Sequence, residues 1–128
     1  MIVRLVAMRF QPGKGQEFLR IFTDASHAIR TQRGCLYLSL LQSTPDDFVT
    51  ISHWQSTADL DAYRHGELFG SIWPRLKVMF REKAWAESFE IVALPVHNTA
   101  LEMANRLVEA LNGALHTVES PDQQAAGT

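Results

Sequence analysis

Five side chains of this 128-residue sequence have the chemistry to act on a small molecule: His53, Tyr63, His65, Trp73 and Arg9. His53 is expected at a strand end beside Trp54, where a neutral imidazole can serve as a base near pH 7. Its competing role is a histidine merely hydrogen-bonded at that end. Tyr63 and His65 fall on a short helical stretch, expected at a pocket mouth. The Tyr63 hydroxyl can hydrogen-bond an anionic oxygen, or it can sit at the surface while the ring packs. Trp73 lies on an apolar stripe, as a stacking platform for a ligand or as core. Arg9 stands among apolar neighbours and must find solvent or a partner. That partner is an anionic oxygen or an edge salt bridge.

Other chemistry is excluded or weak. Cys35 is the only cysteine, so neither an intrachain disulfide nor a cysteine zinc site exists; it reads as a small buried residue. His27 and Arg30 suit a solvated helix face, and His97 and His116 are too far apart in sequence to argue a metal site. With no ligand-spaced cluster, no metal is expected. Pro12-Gly13-Lys14-Gly15 is a turn without phosphate-loop spacing. A net charge of −2, from 12 basic and 14 acidic residues without a like-charge block, gives no footprint for nucleic acid. No run is long enough to span a bilayer, and Met1-Ile2-Val3-Arg4-Leu5 does not read as a leader. The expectation is a soluble, cytoplasmic protein.

The elements that must position these residues follow from periodicity. Residues 2–10 are rich in sheet formers and read as a strand buried on both faces. Phe18, Ile21, Phe22, Ala25 and Ile29 then recur at helical spacing, with Gly34 as the stop. Residues 35–42 and 48–54 form a hairpin around the turn cluster 43–47. Ser56-Thr57-Ala58-Asp59 is a capping box opening a short helix that ends near Gly66. A second helical stretch carries Leu68, Phe69, Ile72, Trp73, Leu76, Met79 and Phe80, and Pro74 predicts a kink or break near Trp73. Residues 84–94 return to strand, closed by Pro95. The order is βαββαβ, the ferredoxin-like α+β arrangement: one four-stranded antiparallel sheet with helices on one face. The expected domain is 1–95. An amphipathic helical extension follows over 96–117, opened by Thr99-Ala100-Leu101-Glu102, and a disordered tail over 118–128.

The stretch Trp54-Gln55-Ser56-Thr57-Ala58-Asp59-Leu60-Asp61-Ala62-Tyr63 resembles the hallmark of the antibiotic biosynthesis monooxygenase family. Gly34-Cys35-Leu36 and Arg9-Phe10-Gln11-Pro12-Gly13-Lys14 fit it too, so the resemblance covers about residues 2–94. It implies a dimeric α+β barrel, a homodimer in which two sheets face each other. It also implies small oxygenases of aromatic polyketides or quinols that use no metal or flavin. A haem-degrading branch shares the fold, but the positions matching its asparagine, tryptophan and histidine are Met8, Tyr63 and Trp73. The histidine pair of quinol-oxidising members falls on Tyr63 and Leu68.

Cofactor-free oxygenation needs an electron-rich substrate that loses a proton, a hydrogen-bonding or basic group, and a dry pocket. The first expectation is therefore a monooxygenase without cofactor acting on a small phenolic or quinol-like molecule. His53 and Tyr63 are the catalytic candidates; Arg9, Met8, Trp73 and His65 are the substrate-binding candidates. The alternative is a non-catalytic dimeric barrel binding a small apolar ligand. A third reading, a protein-interaction module, rests on the C-terminal amphipathic helix.

Overall fold

The computed structural model describes residues 1–93 and 100–116. The chain divides into two compact units, Met1–Ile91 and Val92–Thr128. In the first, β1 (Ile2–Arg9) leads to α1 (Gly15–Arg30), then to β2 (Cys35–Thr44) and β3 (Asp47–Trp54). Two helices follow, α2 (Thr57–Arg64) and α3 (Glu67–Lys77), before β4 (Trp85–Glu90). The four strands form one sheet in the order β2-β3-β1-β4, antiparallel throughout. This is the expected ferredoxin-like α+β fold.

The sheet alternates side chains between its faces. Val6 and Met8 of β1, Leu40 of β2 and Phe48 of β3 pack against Phe18 and Ile21 of α1 and Leu76 of α3. Phe10, Phe18, Phe48 and Trp54 are almost wholly buried. The other face carries Val3, Leu5 and Ala7, paired with His53, Ile51 and Val49 on one side and Phe89, Glu87 and Trp85 on the other. Within the chain β1 is therefore covered on one face, not both: Met8 is its only fully buried residue.

α1 has no side-chain cap of its own. Instead, the Asp46 carboxylate of the β2–β3 turn accepts from the Gly13 and Gly15 amides at 3.2 and 2.9 Å. An acceptor there satisfies orphan donors and complements the helix dipole. The approach is so close that a Cβ on Gly15 would collide with the Pro45 carbonyl. α2 is capped as its sequence predicts, with Ser56 Oγ accepting from the Asp59 amide at 3.2 Å.

Three boundaries differ from expectation. β2 runs on to Thr44, leaving Pro45 and Asp46 as the turn. β4 stops at Glu90, well short of Pro95. α3 does not break at Trp73 but continues past Pro74 to Lys77. Proline removes one helix bond near the helix end, and burial of Leu76 with the packing of Ile72 and Trp73 on the core holds the turn in place.

The second unit contains α4 (Ala100–His116), close to the predicted span. Leu107, Val108 and Leu111 of its stripe are exposed. The predicted cap at Thr99 and the tail 118–128 lie outside the described residues. No described helix is long and apolar enough to cross a membrane.

Candidate functional site

Between the helix-bearing face of the sheet and its helices lies an apolar chamber of about 90 Å³. One water needs roughly 10–15 Å³, so the space exceeds a packing defect. It falls below the ~300–1,000 Å³ of a drug-sized ligand site. The sheet contributes Val6, Met8, Leu38, Thr50 and Ser52; α1 contributes Phe18, Phe22 and Ile29. Tyr63, Phe69, Ile72, Trp73 and Leu76 close it from α2 and α3.

Its walls are held by ring-to-ring packing. Trp54 stacks on Tyr63 (centroids 5.0 Å), Tyr63 meets Phe69 edge-on (5.5 Å), and Phe69 stacks on Trp73 (5.5 Å). Trp73 then meets Phe80 edge-on (5.5 Å). Such pairs each contribute about 0.5–1.5 kcal/mol beyond burial, so the rings pre-organise the chamber. Trp54, wholly buried, lies behind Tyr63 rather than in the lining, and its indole N–H donates to Ser52 Oγ at 2.9 Å.

Tyr63 carries the chamber's titratable hydroxyl. Burial, with a smaller effect from Cys35, pushes its pKa up to about 12. The phenol therefore stays protonated at neutral pH and acts as a hydrogen-bond donor, not a base. Burial likewise pushes the Cys35 thiol up, which keeps it from acting as a thiolate nucleophile.

The sequence candidates separate in space. Met8, Tyr63 and Trp73 line the chamber; His53, Arg9 and His65 do not. His53 lies on the opposite face of the sheet, its ring 4.8 Å from Tyr37. Adjacent residues of a strand point to opposite faces, so turning Trp54 toward the helices turns His53 away. The same parity puts Arg9 opposite Met8. Its Nε lies 3.3 Å from a Glu82 carboxylate oxygen, an exposed ion pair. His65 caps the C-terminus of α2, exposed, with Nδ1 2.8 Å from the Asp61 carbonyl oxygen. Arg30, assigned to a solvated face, donates to the Cys35 carbonyl at 2.6 Å.

Thr50, Ser52, Phe22 and Phe69 line the chamber without having been singled out. Strict alternation over Phe48, Thr50, Ser52 and Trp54 is the signal for the first two. Four-residue spacing from Phe18 to Phe22 and from Phe69 to Trp73 is the signal for the others.

Residues 1–72 match the family model described as antibiotic biosynthesis monooxygenase. No curated protein matches the sequence. Solved structures share the fold. One is an antibiotic biosynthesis monooxygenase with 22% identity and a TM-score of 0.67, the alignment covering 74% of this chain and all of the other. A second, a protein from Nitrosomonas europaea described as a putative antibiotic biosynthesis monooxygenase, has 16% identity and a TM-score of 0.68, over 73% of this chain and all of its own. A third is a variant of SnoaB, a cofactor-independent oxygenase from Streptomyces nogalater, with 14% identity and a TM-score of 0.66 over 74% and 96% of the two chains.

Proposed function

The chain belongs to the antibiotic biosynthesis monooxygenase family, and from that premise we propose that it is a monooxygenase acting without metal or flavin on a single-ring phenol or quinol. The observation that carries this is Tyr63 in the lining of a small, ring-walled chamber. A volume near 90 Å³ favours one aromatic ring over a multi-ring polyketide.

The chemistry follows from the lining. Among the described residues it holds no histidine, carboxylate or amine, so this reading gives the proton to no protein base. The substrate ionises on its own, and Tyr63 donates its O–H to the resulting oxyanion. That charge-assisted hydrogen bond offsets part of the cost of burying the anion in an apolar chamber. The electron-rich anion passes an electron to O2. Recombination forms a C–O bond as a peroxide, which takes up a proton to give the hydroperoxide. Loss of the C–H proton from the same carbon then cleaves O–O, leaving a carbonyl oxygen in the product and releasing the other oxygen as water. Met8 and Trp73 shape the chamber around the ring.

The missing base also favours a second reading, a dimeric barrel that binds a small apolar ligand without turnover. Oxygen uptake with a panel of hydroquinones, with anthrones as larger comparators, separates the two. Turnover is expected for single-ring compounds, falling about tenfold in Tyr63→Phe, the loss of one hydrogen bond to a charged group. Binding of the panel with no oxygen uptake sinks the monooxygenase and leaves the binder. A rate that rises with the substrate's own ionisation supports the absence of a protein base.

The partner in this reading is a second copy. Tyr37, Leu41, Trp85 and Phe89 lie 43–51% exposed, and a twin sheet would cover that face. Light scattering is expected to give twice the chain mass of 14.4 kDa.

A further inference from the structure

A second space adjoins the chamber at the α3–β4 corner. It is an open groove of about 470 Å³ lined by Trp73, Lys77, Phe80, Arg81, Lys83 and their neighbours Glu82 and Ala84. Trp73 lines both spaces, with one ring neighbour in the chamber wall (Phe69) and another in the groove (Phe80).

Its charges are not balanced. Glu82 is paired with Arg9. Arg81 is paired with Asp47 at 2.8 Å and donates to the Phe10 carbonyl. Lys77 and Lys83 have no ion-pair partner among the described residues. Lys77 ends α3, where a cation complements the helix dipole; the Leu76 and Lys77 carbonyls there accept from the Met79 and Phe80 amides. Both lysines line a groove that also holds the Trp73 and Phe80 rings, with no carboxylate paired to them among the described residues.

We infer that the ligand of the chamber is an aromatic carboxylate, its ring in the chamber and its carboxylate held in the groove by Lys77 and Lys83. This rests on the chamber being the ligand site. It answers a mismatch of size, because the chamber seats one ring and the groove beyond Trp73 supplies room for a charged side arm. Lysine suits the task as a mobile point charge that follows a flexible arm.

The test uses calorimetric titration with p-hydroxyphenylpropionate and its primary amide, which match in shape and differ in charge. At low salt the acid is expected to bind about tenfold tighter than the amide, and added salt should shrink that margin. The Lys77→Gln/Lys83→Gln double variant is expected to abolish the margin and leave amide affinity unchanged. Equal affinities in the wild type, or a margin that survives in the double variant, overturn this inference alone. Failure of both probes to bind overturns the chamber as a ligand site and this inference with it.

Discussion

The two faces of the sheet are both apolar and meet opposite fates. On the helix-bearing face Met8, Phe48 and Trp54 are no more than 2% exposed. On the other, Tyr37, Leu41, Trp85 and Phe89 keep roughly half their surface. The first face is finished by the chain's own helices and encloses the chamber. The second carries His53 and Arg9, two of the three candidates that the chamber does not receive. Burial, not residue type, therefore sorts the chemistry: a phenol enclosed by rings is changed by its surroundings, while an exposed arginine simply finds a carboxylate.

The contrast can be broken most severely from the finished side. Phe18→Ala removes a 1%-exposed ring at the centre of the core and is expected to cost about 3–5 kcal/mol in denaturant unfolding. A cost below 1 kcal/mol would mean that the helices do not own that face. Leu41→Arg on the open face is expected to halve the apparent mass in light scattering while leaving the far-ultraviolet circular dichroism of the chain intact. An unchanged dimer would show that the open face is not the contact.

A subtler probe is pH. The Tyr63 pKa is raised, so the unfolded chain releases its proton first as pH climbs past 10. The stability that protonated Tyr63 contributes is complete below pH 10 and is lost toward pH 12. Between pH 9 and 11 the wild type is expected to lose about 1 kcal/mol more than Tyr63→Phe. Parallel losses would mean the phenol is no more buried than the open-face rings. An effect of similar size is expected at the capping box: Ser56→Ala should cost about 1 kcal/mol by removing the bond to the Asp59 amide.

Much of the fold was legible because it rests on periodicity. Four-residue spacing from Phe18 to Phe22 marked α1, and Ser56 with Asp59 marked the start of α2. α1 ends at Arg30, short of the predicted stop at Gly34; Gly34 is glycine for a tertiary reason as well, since its φ is +80° and a Cβ there would meet Asp59. The side of His53 is legible too, since its neighbour Trp54 points to the helices and adjacent strand residues alternate. By contrast, nothing local announces that Asp46 caps α1 from the far hairpin, or that Pro74 leaves α3 unbroken. Those outcomes depend on packing between segments distant in the chain.

The sequence by itself determined the order of elements, the faces they present and the family, because these follow from spacing along one chain. Only the tertiary structure decided which side chains share a chamber. It turned Tyr63 against Trp54 and brought Trp73 between a chamber and a groove. The reason is that burial and proximity are properties of packed surfaces. They raise the pKa of Tyr63 and leave Lys77 and Lys83 without an ion pair among the described residues, which no count along the chain contains.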